Sequence, residues 1–143
     1  MKSTILDKRQ LVNSVFSKVY KKYDLMNDVM SLGVHRIWKE KFIDWINPQA
    51  QSKLIDVASG TGDIARLFSK KNNNYSQIIC IEPNEKMFQE GKLNLKNYKN
   101  IKWIKAPAEK LPVKNNLYDF YTISYGIRNV SNINKSLQEA YRV

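Results

Sequence analysis

The sequence predicts an α/β protein in which a parallel β-sheet carries helices on both faces. From Lys53 onward, short apolar runs alternate with helical segments, and this alternation is typical of right-handed βαβ units. The run IICI at residues 78–81 is apolar at consecutive positions, as expected for a strand covered on both sides. A loop with two glycines follows the first predicted strand. Ligands of such sheets bind at the carboxyl ends of the strands, so we expect the functional site there.

Residues 1–50 differ from this pattern and are predicted to form an N-terminal helical cap. Apolar residues recur at helical spacing in two stretches, residues 11–23 and 37–46. The segment between them, residues 23–36, is rich in Asp, Asn and Ser, which indicates a loop. We therefore divide the chain into this cap and a sheet domain, residues 51–143.

Within the sheet domain, each predicted strand is an apolar, β-branched or aromatic run bounded by polar or turn-forming residues. The predicted strands are residues 53–59, 77–83, 101–108 and 118–126. Helices are predicted where apolar residues recur every three or four positions. They are residues 62–71, 84–98 and about 132–142.

Composition narrows the class of protein. The chain has 143 residues, of which 43% are hydrophobic and 26% charged, as in a globular domain with a real core. It has no apolar run of the ~18 residues that cross a bilayer, and its N-terminus lacks the pattern of a secretory signal. Cys80 is the only cysteine, which excludes a disulfide framework and a thiolate metal cluster. We expect a cytoplasmic protein without a metal site.

The net charge of +11 is spread along the chain and forms no compact basic run. No nucleic-acid-binding motif accompanies it, so we expect no nucleic-acid partner. The excess lysines are interpreted as solvated faces. Weak attraction to an anionic membrane surface stays open as the alternative.

The loop after the first strand reads IDVASGTGD at residues 55–63. Its spacing, Gly60-x-Gly62-x-x-Ala65, fits a dinucleotide fingerprint. Glu82 follows about 20 residues after Gly62, at the end of the next strand, where an acidic residue holds ribose hydroxyls. A nicotinamide-dependent oxidoreductase is therefore one candidate function.

Charge favours a different ligand. Asp56 stands at the strand tip before Gly60, and a pyrophosphate beside it would cost on the order of 4 kcal/mol per like-charge contact, at about 4 Å and an effective dielectric near 20. S-adenosylmethionine has no phosphate and carries an ammonium and a sulfonium. Asp56 would pair with that cationic end, while the glycines let the backbone approach it. Asp63 is interpreted either as a ligand contact or as an acidic residue favoured at a helix N-terminus.

Four motifs resemble one known family. They are VFSKVYKKYDLMNDVMSLGVHRIWK at residues 15–39, IDVASGTGD at 55–63, PAEKLPV at 107–113 and YTISYGIRNV at 121–130. From about residue 10 onward, the chain resembles the ubiquinone/menaquinone biosynthesis C-methyltransferases (the UbiE family). The resemblance implies a Rossmann-like, class I S-adenosylmethionine-dependent methyltransferase. Members of the family continue with a fifth strand and an antiparallel pair, and this chain stops at Val143, so we expect the C-terminal strands to be missing.

The resemblance also implies roles for single residues. The expected cofactor-binding residues are Asp56, Gly60, Thr61, Gly62, Glu82, Pro107, Ala108 and Ser124. Glu82 would hold the ribose, Pro107 and Ala108 would lie against the adenine, and Ser124 would lie beneath the cofactor. Glu82 and Pro107 depart from the family, where an Asp and a polar side chain are common. Ser59 replaces a frequent glycine, a mild change while its φ stays negative.

The substrate that the resemblance implies is a prenylated quinol. Methyl transfer to its ring carbon needs positioning and a group that stabilises the phenolate formed as a hydroxyl loses its proton. Arg128 would hold the phenolate oxygen, and Tyr23 and Asp24 would complete a proton relay. The alternative interpretation of Arg128 is a surface residue that pairs with a helix end. The alternative interpretation of Tyr23 is the last apolar residue of the amphipathic stretch at residues 11–23. His35 is interpreted as a structural loop contact.

Three functions stay open at this point. They are the C-methyltransferase, the nicotinamide-dependent oxidoreductase, and a non-catalytic cofactor-binding scaffold in a quinone-synthesis complex. The predicted partners are the quinol, an anionic surface at the inner membrane face, and either such a complex or a second copy of the chain.

Overall fold

The computed structural model describes residues 34–143 and, before them, residues 10, 11 and 14. In chain order its elements are α1 (Val34–Ile46), β1 (Lys53–Val57), α2 (Asp63–Lys71), β2 (Gln77–Ile81), α3 (Glu85–Asn94), β3 (Ile101–Ile104), β4 (Phe120–Thr122), a 3-10 helix (Gly126–Asn129) and α4 (Ile133–Arg142). Every strand and helix predicted for the sheet domain is present. Most of the predicted cap, with Tyr23 and Asp24, lies outside the described residues.

The four strands form one parallel sheet in the order β3-β2-β1-β4. This confirms the predicted parallel sheet. Asp56 of β1 is in register with Cys80 of β2 on one side and Thr122 of β4 on the other. Since β2 and β3 extend the sheet in one direction and β4 in the other, the strand order reverses beside β1. The crevice at such a reversal is where ligands of open α/β sheets bind.

The strands are shorter than predicted at their carboxyl ends. β1 ends at Val57 because Ala58 has a φ of +52°, which a strand does not accommodate. β3 ends at Ile104, before Pro107. In both places the apolar pattern runs on into a loop, so the sequence pattern alone extends the strand too far.

Buried apolar side chains cover both faces of the sheet. Leu54 and Ile55 are adjacent in β1 but belong to different clusters, because successive strand residues point to opposite faces. The cluster of Leu54 includes Phe68 of α2, whose ring meets that of Phe120 edge to face with 5.6 Å between centroids. The cluster of Ile55 includes Val143 at the end of α4. The sheet is thus covered on both sides, as predicted.

Helix α1 begins at Val34, inside the segment predicted as a loop. His35, interpreted from the sequence as a loop contact, lies in the first helical turn and is buried. The loop prediction was wrong here, since tertiary packing overrides local composition.

Helix α1 packs on α2. Ile43 shares the core cluster of α2, and two ion pairs join the helices. Lys39 Nζ lies 2.6 Å from Asp63 Oδ2, and Lys71 Nζ lies 2.7 Å from Asp44 Oδ1. In the part of the chain that the structure describes, no helix is long and apolar enough to span a bilayer.

Candidate cofactor and active site

The loop between β1 and α2 turns sharply. Positive φ angles occur at Ala58 (52°), Gly60 (58°) and Gly62 (91°). The φ of Gly62 favours glycine there, and a Cβ would also lie 2.6 Å from Leu95 Cδ1 and 3.0 Å from Trp103 Cζ2. Ser59 has no positive φ, and its hydroxyl donates to the carbonyl oxygen of Asp56 over 2.6 Å. Ser59 is therefore accommodated without strain, as expected.

Asp56 is buried at the tip of β1, with 1% of its surface exposed. Thr122 Oγ1 donates to its Oδ1 over 2.7 Å, whereas no donor among residues 34–143 reaches Oδ2. Burial raises the pKa of Asp56 to about 7, although the hydroxyls of Thr122 and Ser59 act in the opposite direction. Asp56 Oδ2 is thus a buried acceptor without a donor among residues 34–143. The carboxyl group changes its charge near neutral pH.

Glu82 follows β2 and bridges two backbone segments. Its Oε2 accepts from the N–H of Gly60, and its Oε1 accepts from the N–H of Asn84, each over 2.8 Å. Burial raises the pKa of Glu82, while the two N–H groups act to lower it. The structure brings Glu82 and the glycine loop together at the carboxyl ends of β1 and β2.

Asp63 is engaged by helix α1 and by its own helix. Besides Lys39, Arg66 approaches Asp63 Oδ1 at 3.5 Å. Burial acts to raise the pKa of Asp63, but the hydrogen bond and charge of Lys39, together with the charge of Arg66, outweigh it and lower that pKa. These ion pairs join Asp63, at the start of α2, to Lys39 of α1 and Arg66 of α2. They favour the interpretation of Asp63 as an acidic residue at a helix N-terminus over that of a ligand contact.

The GIRN segment packs against the glycine loop. A Cβ at Gly126 would lie 2.4 Å from Ala58 Cβ, so only glycine allows this approach. Tyr125 has a φ of +60°, a strained conformation for a bulky residue. The exposed guanidinium of Arg128 lies 5.9 Å from the centroid of the Tyr125 ring. Ser124 is half-buried in the same connection.

The remaining predicted residues line the same edge of the sheet. Thr61 is buried in the glycine loop. After β3, Pro107 is exposed, whereas Ala108 is buried in the cluster of Ile55. Within residues 34–143 the structure contains no group of His, Cys, Asp and Glu that would hold a metal ion.

Residues 3–143 match the ubiE/COQ5 methyltransferase family. The chain belongs to this family. The ubiquinone/menaquinone biosynthesis C-methyltransferase UbiE of Rickettsia prowazekii is 51% identical over 143 residues, and that of Rickettsia bellii is 50% identical over 143 residues. These alignments cover 95% and 96% of this chain but 57% of each relative. The chain therefore spans little more than half the length of the curated relatives it matches.

Solved structures agree on the fold of this UbiE/COQ5-family chain. An S-adenosylmethionine-dependent methyltransferase from Aquifex aeolicus superposes with a TM-score of 0.66 and 25% identity, covering 73% of this chain and 57% of that one. A protein from Methanococcus maripaludis reaches a TM-score of 0.74 at 18% identity, covering 87% of this chain and 57% of that one. The sheet is that of a Rossmann-like class I methyltransferase.

The sequence did not indicate two residues next to the glycine loop, Thr122 and Tyr125. Thr122 is the hydrogen-bond partner of Asp56, and Tyr125 carries the strained backbone. Thr122 was within reach of sequence analysis, because it is a polar residue inside a predicted strand near the tip where Asp56 also lies. Nothing in the sequence pattern marks the positive φ of Tyr125.

The residues present fit S-adenosylmethionine. Asp56 Oδ2 is a buried acceptor that suits a cationic donor. Each Glu82 oxygen accepts one backbone hydrogen bond and retains a second acceptor position that suits a ribose hydroxyl. Asp56 Oδ2 is enclosed by the protein in this structure.

Proposed function

We propose that the chain binds S-adenosylmethionine and that the protein methylates a ring carbon of a prenylated benzoquinol or demethylmenaquinol. The curated relatives carry the name of that reaction, ubiquinone/menaquinone biosynthesis C-methyltransferase. The observation that supports the cofactor most directly is the pair of buried carboxylates at the glycine loop. Asp56 and Glu82 offer acceptor oxygens and no positive charge.

The Asp56 carboxylate disfavours a nicotinamide cofactor. A pyrophosphate placed at the loop would lie beside Asp56, and each contact with its ionised form at about 4 Å would cost on the order of 4 kcal/mol at an effective dielectric near 20. A phosphate-free cation does not meet this repulsion.

In the proposed complex, each residue of this chain has a defined task. The bound cofactor supplies an electrophilic methyl group on its sulfonium. Glu82 accepts the ribose hydroxyls, Asp56 accepts a donor of the methionine end, and Thr61 and Ser124 contact the cofactor. Pro107 and Ala108 lie against the adenine. The exposed side of Pro107 and the burial of Ala108 suit a surface on which a flat ring rests.

Arg128 is proposed to act on the quinol. Its guanidinium is exposed, and Gly126 brings its helix against the glycine loop. A guanidinium holds a phenolate oxygen with two donors and stays charged at physiological pH. Tyr23 and Asp24 are proposed to relay the proton from the quinol hydroxyl.

A lipid surface is the proposed source of the quinol. Helix α1 exposes Ile37, Trp38 and Trp45, with Trp45 83% exposed, and their spacing puts them on one face together with Lys41. Tryptophan and lysine side chains suit the boundary between lipid headgroups and acyl chains. The net charge of +11 favours an anionic surface. A quinone-synthesis complex and a homodimer stay predictions.

Two titrations and one assay test the function. Calorimetry of the chain with S-adenosylhomocysteine should give saturable binding, and NADH should give none. The reverse result would support the oxidoreductase. Turnover of demethylated benzoquinol and naphthoquinol, measured on this chain and on a version extended to the length of its relatives, separates the enzyme from a scaffold that binds cofactor without reacting.

A further inference from the structure

A buried side-chain hydrogen bond joins the two strands that flank the reversal of strand order. Thr122 of β4 donates through Oγ1 to Asp56 Oδ1 of β1 over 2.7 Å, between residues 66 positions apart in the chain. The two side chains are 3% and 1% exposed. The backbone pairing of β1 and β4 already joins these strands in register, so the side-chain bond is an additional contact.

The two oxygens of the Asp56 carboxylate differ in their hydrogen bonding. Thr122 takes Oδ1, and no donor within residues 34–143 reaches Oδ2. We propose that Thr122 is a positioning residue, which fixes the Asp56 carboxylate so that Oδ2 is the oxygen that receives the ammonium of the cofactor. The inference rests on the proposed function, since it assigns the orientation of an acid in that binding site.

The physical consequence is both geometric and electrostatic. Without the Thr122 hydroxyl, the carboxylate loses the contact that fixes its rotation, and its charged form loses a hydrogen bond. Among residues 34–143, the titratable groups that interact electrostatically with Asp56 are Glu82 and Cys80 from β2 and its end, Lys39 of α1, and Tyr121, which lies on the opposite face of β4 from Thr122. Among these, Glu82 disfavours the Asp56 charge and Lys39 favours it. Removing the hydroxyl therefore favours protonated Asp56 and weakens its attraction to a cation.

Two variants separate the hydroxyl from the shape of the side chain. Thr122→Val keeps the branched shape and removes the hydroxyl, whereas Thr122→Ser keeps the hydroxyl. S-adenosylhomocysteine, which retains the ammonium, is titrated by calorimetry from pH 6 to pH 9. We expect Thr122→Val to lose about 10-fold in affinity near pH 7 and to recover part of that loss at pH 9, so the midpoint of its pH profile moves up. Thr122→Ser should follow the original chain.

Each outcome decides the proposal. The expected shift of the midpoint in Thr122→Val alone supports it. An unchanged affinity and midpoint in Thr122→Val overturns the positioning role and leaves the proposed function standing. A loss of equal size at every pH, or a loss shared by Thr122→Ser, indicates a structural role and also overturns it. Failure of the original chain to bind at any pH overturns the proposed function and this inference together. If Thr122→Val does not fold, Thr122→Ala removes the hydroxyl without adding bulk and carries the same test.

Discussion

Glu82 Oε2 accepts a hydrogen bond from the backbone N–H of Gly60 over 2.8 Å. The other oxygen of the same carboxylate accepts from Asn84, the N-cap residue of α3. One side chain thus ties the glycine loop after β1 to the loop after β2. Any ligand that approaches Glu82 meets a carboxylate that is already oriented by two backbone groups.

Replacing Glu82 should weaken cofactor binding. We expect Glu82→Ala to reduce the affinity for S-adenosylhomocysteine by about 1–3 kcal/mol, the range for removing a hydrogen-bond partner from a buried group. Calorimetric titration measures the change. Glu85→Ala is the matched control, because Glu85 is exposed at the start of α3 and pairs with Lys105 on the surface. Unchanged affinity in Glu82→Ala would remove Glu82 from the site.

The stability of the ligand-free protein should fall as pH rises through neutrality. Burial raises the pKa of Asp56 from 3.8 to about 7, so the folded state binds more protons than the unfolded state between these values. The stability that protonated Asp56 contributes is complete below about pH 4 and lost as pH rises through about 7, a loss of about 4 kcal/mol over the whole range. Burial also raises the pKa of Glu82, with the same sign.

Denaturant titrations from pH 5 to pH 9 measure this dependence. We expect the free energy of unfolding to decrease from pH 5 to about pH 7 and to level off above pH 8. Asp56→Asn should show a much smaller decrease, because the amide does not titrate. Asp44→Asn is the control, since Asp44 is exposed and its pKa is lowered by its hydrogen bond with Lys71. Equal pH dependence in the original chain and Asp56→Asn would contradict the assignment.

Breaking the pair of Lys39 and Asp63 should loosen helix α1. This pair is largely buried, whereas that of Lys71 and Asp44 is half-exposed, and exposed pairs contribute little. We expect Lys39→Met to speed hydrogen exchange across α1, and Lys71→Met to have a smaller effect.

In the original chain, α1 should exchange faster than β1 and slow down when S-adenosylhomocysteine binds. Uniform protection that does not respond to ligand would argue against an N-terminal cap that the cofactor stabilises.

The apolar face of α1 should bind anionic lipid. We expect the chain to sediment with anionic vesicles, to stay in solution with neutral ones, and to dissociate at 1 M salt, where the screening length is about 3 Å. Replacing Trp38 and Trp45 with Ala should reduce sedimentation several-fold. Tyr141→Ala is the control, because Tyr141 is 93% exposed on α4, away from this face. Equal sedimentation with both vesicle types would refute the electrostatic part.

Arg128 should affect turnover more than cofactor binding. In a version extended to the length of its relatives, Arg128→Lys should lower the rate by about 10²–10³, in line with the loss of one donor to a developing oxyanion. Lysine retains the charge but not the two-donor geometry. The affinity for S-adenosylhomocysteine should stay nearly constant. Lost cofactor binding with an intact residual rate would assign Arg128 to the cofactor instead.

Local patterns in the sequence determined the elements of the sheet domain and part of the site. The runs at residues 53–59 and 77–83 are apolar enough to predict buried parallel strands, and the spacing from Gly62 predicted that Glu82 would stand at the end of the strand that follows the glycine loop. These inferences succeed because they depend on short segments and on one βαβ unit, whose handedness and connection are physically constrained.

Contacts between distant segments were decided only by the tertiary structure. The bond from Thr122 to Asp56 depends on the register of two strands far apart in the chain, and that register is set by packing on both faces rather than by either strand alone. The partner of Asp63 depends on how α1 packs on α2, and His35 is buried in a helix where local composition predicts a loop. Burial of Asp56, and with it a pKa of about 7, arises only when the surrounding strands and loops exclude water from the carboxylate.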